Sequence, residues 1–300
     1  MSSTLFRRYL ATLAATLVLS SAAMAASKNY TVTAPDGVAI AVQESGNPQG
    51  QAVVLIHGLL GSRLNWDNQV ASPDLQQYRM ITYDLRGHGL SGKPTDARAY
   101  SDGRRWADDL AAVLKAAHAT RPVLVGWSLG GAVISNYLAT QGDTGIAGAM
   151  YVDGVIELKA SQIPPHPTVY RDMVSPDLAT HLDGERAFLA LCFYTQPDAT
   201  TSARFLASAA MASWDMQNAV MSMTVAAAEG LGKSTVPLLL LYGARDALVS
   251  PTAAIARARE LRSNVQTTLY ANSGHAPFIE EAARFNRDLA AFIEATTLRR

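Results

Sequence analysis

The chain has 300 residues, of which 49% are hydrophobic and 17% are charged, and its formal net charge at pH 7 is zero. This composition allows a large apolar core and excludes global disorder. The balanced charge, with no long basic run, argues against a nucleic-acid partner, because phosphate contacts need clustered lysine and arginine. We therefore expect a folded globular protein.

The first 25 residues have the three-part pattern of a secretory signal peptide. Arg7 and Arg8 precede an uncharged apolar run over residues 9–24, and residues 23–25 (Ala-Met-Ala) form a small-residue cleavage site. The run is short and diluted by Ala, Ser and Thr, which disfavours a retained membrane anchor. We predict cleavage after the leader 1–25, no stable membrane anchor afterwards, and a periplasmic or secreted protein. Export by the Sec or the twin-arginine route stays open.

The next segments alternate between short apolar strands and helix-forming stretches. Two alternating stretches on either side of residues 35–37 (Pro-Asp-Gly) predict a β-hairpin. Continuous apolar runs follow, as expected of strands buried on both faces, with helical periodicity between them. These runs are residues 52–56, 79–84, 123–127 and 149–153. The pattern predicts an α/β fold, a mostly parallel twisted sheet flanked by helices.

The alternation stops between residues 155 and 232, where a proline-rich loop precedes helix-forming stretches rich in Ala, Met and Phe. We assign these helices to residues 185–193, 203–211 and 216–229. The strand pattern resumes at residues 236–243 and 265–270, and each of these strands is followed by a helix. We predict one core in two parts, 26–154 and 233–300, with a helical cap at 155–232.

The cap contributes a set of large apolar side chains, of which we expect most to pack inside it and a minority to face a substrate. They are Met173, Phe193, Met211, Trp214, Met216, Met221 and Met223. The single cysteine, Cys192, cannot form an internal disulfide, and we expect it to be buried and unreactive.

The run at residues 123–127 leads into the sequence Gly126-Trp127-Ser128-Leu129-Gly130-Gly131, and a helix-forming stretch follows. This is the strand, sharp turn and helix of a G-x-S-x-G nucleophile motif. A serine at such a turn is held in a strained conformation with its hydroxyl presented above the sheet. Ser128 is therefore the candidate nucleophile. Trp127 is predicted to line the substrate pocket, with packing against the sheet as the alternative.

A serine hydroxyl needs a base to remove its proton and a carboxylate to orient that base. Asp246 and His275 each lie just past a predicted strand, so a parallel sheet would bring them to the same edge as Ser128. The order Ser, Asp, His is typical of α/β-hydrolases. Asp153 also ends a predicted strand and is the alternative acid. We favour Asp246, because flanking Gly and Pro residues suit its turn.

The chain resembles the α/β-hydrolase superfamily, in the group with a helical cap, over nearly all of its length after the leader. The resemblance rests on His57-Gly58, on residues 84–91 (DLRGHGLS), on the serine motif and on the loops of Asp246 and His275. The sequence Gly-Trp-Ser-Leu-Gly-Gly is similar to that of carboxylesterases of the pimeloyl-carrier methyl esterase type.

The resemblance implies roles for several further residues. The backbone N–H groups of Leu59 and Leu129 would form the oxyanion hole, and main-chain donors at a helix start suit that role. His57 and His88 would brace loops rather than act as bases, and Arg86 would pair locally.

The resemblance also implies a serine hydrolase that cleaves carboxylic esters of small or medium apolar groups through an acyl-enzyme on Ser128. Haloalkane dehalogenases and epoxide hydrolases of this fold carry aspartate at that position, so the serine argues against both. Cofactor-free haloperoxidases and perhydrolases share the triad and stay open as the alternative. The six histidines show no metal-ligand spacing, so we expect no metal and no cofactor. The exact ester, lactone, thioester or amide and the oligomeric state stay open.

Overall fold

The computed structural model describes residues 27–297, so the predicted signal peptide lies outside the described residues. Within that range, eight strands form one sheet. The strands are β1 Lys28–Thr33, β2 Ala39–Gly46, β3 Ala52–Ile56, β4 Arg79–Tyr83, β5 Val123–Trp127, β6 Gly148–Val152, β7 Leu238–Gly243 and β8 Gln266–Tyr270. Their order across the sheet is β1-β2-β4-β3-β5-β6-β7-β8. β1 pairs antiparallel with β2, and β2 with β4, while all the other neighbours are parallel.

Helices connect the parallel strands and cover the sheet. They are α1 Asp67–Val70, α2 Arg98–Ser101, α3 Gly103–Ala116, α4 Leu129–Gln141, α5 Pro167–Met173, α6 Leu178–Leu191, α7 Ala199–Ala210, α8 Trp214–Ala219, α9 Pro251–Leu261, α10 Pro277–Glu280 and α11 Ala282–Thr297. The prediction of a mostly parallel, helix-flanked sheet is confirmed. No helix within residues 27–297 is both long enough and apolar enough to cross a bilayer.

The continuously apolar strands contribute side chains to two hydrophobic cores, one on each face of the sheet. In β3, Val54 and Ile56 pack in the core that contains α3 and α4, whereas Val53 and Leu55 pack in the core that contains α11. All five residues of β3 are buried. Because successive side chains of a strand point to opposite faces, a strand covered on both sides must be apolar throughout.

A buried arginine fixes the loop after β4. Arg86 donates two 2.7 Å hydrogen bonds to the carboxylate of Asp109 on α3, and its remaining nitrogen lies 2.9 Å from Asp36 in the β1–β2 turn. The expectation of a local pairing was wrong, because the partners lie 23 and 50 positions away. The guanidinium therefore ties three separate segments together.

Between β6 and β7 the chain forms α5, α6, α7 and α8, and residues 153–237 contain no strand. The helix predicted over residues 216–229 is wrong beyond Ser222, because a 3₁₀ turn over Val220–Ser222 follows α8 and residues 223–226 are irregular. There, Asn136 of α4 donates to the carbonyl of Thr224 and accepts from the N–H of Ala226. These side-chain bonds satisfy backbone groups that would otherwise continue a helix. The division into a cap and a two-part core stays a prediction.

Candidate active site

Ser128 occupies a sharp turn between β5 and α4. Its φ of +53° lies in the left-handed region, which is uncommon for a residue with a side chain. Strand and helix approach so closely here that a Cβ on Gly126 would lie 2.5 Å from the backbone of Gly130. A Cβ on Gly130 would lie 2.6 Å from the carbonyl oxygen of Ile56. The glycines are therefore needed to form the turn that presents Ser128.

Asp246 follows β7, His275 follows β8, and the structure brings the two side chains together. The hydrogen bond from His275 Nδ1 to Asp246 Oδ2 is 2.7 Å long, and the other carboxylate oxygen accepts the N–H groups of Leu248 and Val249. The neighbouring parallel strands β5, β6, β7 and β8 end at the same edge of the sheet, so this pair and Ser128 share that edge.

No hydrogen bond joins the Ser128 hydroxyl to His275 within the described residues. The bond to Asp246 uses the other ring nitrogen, Nδ1, and His275 Nε2 has no hydrogen-bond partner among the described residues. Nucleophile–base hydrogen bonds are often long or poorly aligned before substrate binds. The arrangement therefore leaves Nε2 available for a proton.

The two backbone donors named for the oxyanion hole border the same cavity as Ser128. Leu129 is the first residue of α4, where backbone N–H groups lack intrahelical partners and the helix dipole favours negative charge. Leu59 lies in the loop after β3, and its N–H donates no hydrogen bond within residues 27–297. Both residues therefore border the cavity at Ser128, and their role as oxyanion donors stays a prediction.

Two buried histidines hold the loop that contains Leu59. The N–H of Leu60 donates to His88 Nε2 (3.2 Å), and the N–H of Leu85 donates to His57 Nε2 (2.9 Å). Burial lowers the pKa of His57 to about 4, so its ring is neutral at pH 7 and Nε2 can accept. Both rings brace backbone, as the resemblance implied.

The cavity at Ser128 is small and apolar. Its volume is about 40 Å³. Its walls come from the loops after β3 and β6, from the start of α4, from α5 and α6, from the turn after α8 and from the loop after β7. The lining residues are Leu59, Ser128, Leu129, Val155, Leu158, Ile163, Tyr170, Phe188, Val220, Met221, Leu248 and Val249.

Trp127 does not line this cavity, so the structure favours the alternative role of packing. Its side chain is 1% exposed and its ring packs against Phe205 and Phe278. The indole N–H donates a 2.6 Å hydrogen bond to the backbone carbonyl of His275. Trp127 packs in this way because successive side chains of β5 point to opposite faces of the sheet. Trp127 therefore lies on the face opposite Leu124, in the core that contains α11.

The apolar residues proposed from the sequence divide as expected, but only one of them lines the cavity. Met221 does so, whereas Met173, Met216, Met223 and Phe193 are buried and Met211 and Trp214 are partly exposed elsewhere. Sequence reasoning missed Tyr170 and Phe188. The register of a helix decides which of its side chains face the cavity and which pack inside the protein. The predicted helix boundaries were too imprecise to fix that register. Cys192 is buried, as predicted.

Asp153, the alternative acid, lies beside the Asp246–His275 pair rather than in place of Asp246. One ligand-capable atom from each of the three residues lies within 4.8 Å of the others. Two carboxyl groups and a histidine could suggest a metal site. However, the 2.7 Å separation of His275 Nδ1 and Asp246 Oδ2 is a hydrogen-bond distance, too short to admit an ion between them. The side chains of Asp153, Asp246 and His275 therefore fit a hydrogen-bonded network better than a metal site.

This combination of fold and site defines the class of hydrolytic α/β enzymes. Residues 51–282 match the family described as alpha/beta hydrolase fold, and the chain belongs to that family. The match covers β3 to the beginning of α11 and so includes Ser128, Asp246 and His275.

Three relatives narrow the class further. A protein from Burkholderia cenocepacia, provisionally assigned as an aryl esterase, is 68% identical, with a TM-score of 0.90, over 91% of this chain and 100% of that one. A bifunctional esterase/perhydrolase from Acinetobacter calcoaceticus is 28% identical over 88% of this chain and 99% of its own. A non-heme chloroperoxidase from Streptomyces lividans is 29% identical with the same coverage. The chain is an enzyme that hydrolyses ester bonds.

Proposed function

We propose that the protein is an exported serine esterase that forms an acyl-enzyme on Ser128. His275 Nε2 removes the proton of the Ser128 hydroxyl as Oγ attacks the ester carbonyl carbon. The tetrahedral intermediate collapses, and His275 returns that proton to the departing alcohol. Water then attacks the acyl-serine with the same base, which releases the carboxylic acid and restores the hydroxyl.

Asp246 and the backbone donors complete this mechanism. The bond to Asp246 fixes the proton of His275 on Nδ1, so that Nε2 faces the nucleophile, and the carboxylate stabilises the imidazolium. The N–H groups of Leu59 and Leu129 receive the oxyanion. One such donor is typically worth about 3 kcal/mol of barrier.

The observation that supports a small apolar substrate is the cavity at Ser128. Ser128 provides the only hydroxyl besides Tyr170 among its twelve lining residues, and none of the twelve is charged. A cavity of about 40 Å³ favours a short acyl group, such as acetyl or propionyl, over a long one. The relative assigned as an aryl esterase supports an aromatic alcohol as the other half of the ester.

Export is proposed from the sequence of residues 1–25. Its basic start, apolar run and Ala-Met-Ala site have the order of a cleaved leader. N-terminal sequencing of protein recovered from the periplasm of a bacterial host should begin at residue 26. Uncleaved protein retained in the cytoplasm would contradict the proposal.

The central experiment measures hydrolysis of phenyl acetate, butyrate and octanoate together with covalent labelling by a fluorophosphonate. We expect the acetate and butyrate to be preferred and the label to be found on Ser128 by peptide mass spectrometry. Ser128→Ala should lose both. Folded protein that hydrolyses esters but is not labelled at Ser128 would show that Ser128 is not the nucleophile.

A perhydrolase activity is the second candidate, and the names of the Acinetobacter and Streptomyces relatives favour it. Hydrogen peroxide would replace water in the second half-reaction, so that the acyl-serine yields a peracid and free Ser128. Peroxide-dependent bromination of a dye in acetate buffer measures it. Bromination that persists in Ser128→Ala would exclude this route.

A further inference from the structure

A second carboxyl group lies against the triad acid. Asp153 follows β6 directly, is fully buried and has a φ of +44°. Its backbone N–H donates to the carbonyl of Leu241 (2.8 Å), and its Oδ1 accepts the N–H of Gly243 (2.8 Å). Main chain and side chain are therefore both fixed on β7, the strand that leads to Asp246.

The two carboxyl groups have very different hydrogen-bond partners. Asp246 accepts three donors, from Leu248, Val249 and His275, and such a set stabilises a carboxylate. Asp153 accepts one donor at Oδ1, while its Oδ2 is buried and no donor within residues 27–297 points at it. A buried anionic oxygen without a donor is strongly disfavoured, whereas a protonated oxygen can itself donate.

We propose that Asp153 is a neutral carboxylic acid whose Oδ2–H donates a hydrogen bond to the Asp246 carboxylate, and so acts as a positioning residue for the His275–Asp246 pair. The inference rests on the proposed function only for the roles of Asp246 and His275. One carboxyl oxygen of Asp153 lies within 4.8 Å of one of Asp246, and a hydrogen bond between the two side chains is among the causes that raise the pKa of Asp153.

The surroundings keep Asp153 neutral. Burial and the adjacent charge of Asp246 raise the pKa of Asp153 far above its ordinary value. The acidic titratable groups that interact with these two carboxyl groups are Glu280, Cys192, Tyr170 and Tyr242, and none of them can carry a positive charge. The basic side chains at this loop are His275, whose Nδ1 is bonded to Asp246, His166, whose Nε2 lies 2.8 Å from the carbonyl oxygen of Ala247, and Arg245, which is exposed and lies over the ring of Tyr194.

The proposed bond has a measurable consequence. A proton shared with Asp153 draws negative charge on Asp246 away from His275, so the imidazolium is stabilised less than by an otherwise identical free carboxylate. Removing the donor should therefore favour protonated His275. The acid limb of the kcat/KM profile should then move to higher pH.

The experiment compares Asp153→Asn with Asp153→Ala. The amide of asparagine can donate to Asp246 and accept from Gly243, so it preserves both contacts without a carboxyl proton. We expect D153N to keep kcat/KM within about twofold and to leave the acid limb in place. D153A should lower kcat/KM roughly tenfold and move the limb up by about one pH unit, as expected for a lost hydrogen bond to a charged group.

Glu185→Gln provides the matched control. It exchanges another buried carboxyl group for an amide, and its partners are Gln217 and His181 rather than the triad. We expect its profile to match that of the wild type. A D153N shift as large as that of D153A, or no shift in D153A, would overturn the proposal.

An infrared difference spectrum tests the proton directly and does not depend on activity. Wild type minus D153N at pH 7 should contain the carbonyl band of a protonated carboxylic acid. A carboxylate band in its place would show that Asp153 is ionised and would reject the inference even if D153A fails to fold. This readout also separates the two proposals, since an inactive wild type that shows the acid band would refute only the esterase mechanism.

Discussion

His275 Nδ1 donates a 2.7 Å hydrogen bond to Asp246 Oδ2, and neither side chain is more than 1% exposed. Water is therefore nearly excluded from the bond, and the charge on Asp246 is satisfied by protein donors alone. The pair is accordingly set up to hold one tautomer of the imidazole.

The Asp246–His275 bond yields the first prediction. Asp246→Asn replaces an acceptor with a group that can donate, which favours the wrong tautomer of His275. We expect kcat for a phenyl ester to fall by about 10⁴-fold with little change in thermal stability. Asp153→Asn is the paired variant and should stay near wild type. If Asp153→Asn stopped turnover and Asp246→Asn did not, Asp153 would be the acid.

The second prediction concerns Arg86. Arg86→Met leaves Asp109 buried without its bidentate partner, and breaking a buried pair in this way typically costs 3–5 kcal/mol of unfolding free energy, about what we expect here. Arg104→Met removes an exposed pair with Asp108 at 3.8 Å and should change the free energy by less than about 1 kcal/mol. Urea unfolding of both variants measures the difference. Equal effects would mean that Arg86 is not a structural tie.

The third prediction tests the close approach at the serine turn. Alanine is normally the better helix former, yet at Gly130 its Cβ would meet the Ile56 carbonyl at 2.6 Å. We expect Gly130→Ala to lower stability by about 1–3 kcal/mol and to reduce activity. Gly145→Ala is the control, because its Cβ would meet nothing nearer than 3.9 Å. A stabilised and active Gly130→Ala would disprove the crowding argument.

The fourth prediction links stability to pH through His57. Burial lowers the pKa of His57 from 6.5 to about 4. Between these values the unfolded chain binds a proton that the folded chain does not, so unfolding becomes easier as the pH falls. The contribution reaches about 3 kcal/mol at pH 4. Denaturant unfolding from pH 7.5 to 4.5 should show a smaller pH slope in His57→Gln. An unchanged slope would assign the effect to other groups, such as His88.

The fifth prediction concerns chain-length preference. Met221 lines the cavity and is 43% exposed, so its truncation enlarges the site without emptying the core. We expect Met221→Ala to raise the ratio of kcat/KM for a hexanoate over an acetate ester about tenfold. Met211→Ala, at a residue 44% exposed and outside the cavity, should leave the ratio unchanged. A rise in both variants would contradict the assigned role of Met221.

The sheet could be predicted because its signal is local. The apolar runs of β3, β5 and β7 are continuous, since helices cover both faces, and such runs stand out in a sequence. Ser128, Asp246 and His275 could be placed at one edge for the same reason, since each follows a parallel strand. Their catalytic roles stay predictions until the variants are measured.

The cavity wall could not be predicted, because it depends on long-range contacts. The contacts of Asn136 with residues 224 and 226 end the helical run that sequence alone extends to residue 229. The side chains that face Ser128 are set by how α5 and α6 pack over the sheet. Trp127 was misplaced for a related reason, since adjacency to Ser128 in sequence does not decide which face of β5 a side chain occupies.

The hydrogen bond from the Trp127 indole to the His275 carbonyl joins two positions that are 148 residues apart in the chain. It links the residue before the predicted nucleophile to the backbone of the predicted base, so it restrains the distance between them. Both residues that it joins lie outside the segment between β6 and β7, and only the Trp127 ring contacts that segment in an aromatic pair, with Phe205 of α7. Substitutions at Tyr170, Phe188 or Met221 can therefore change the cavity wall without changing either residue that this bond joins.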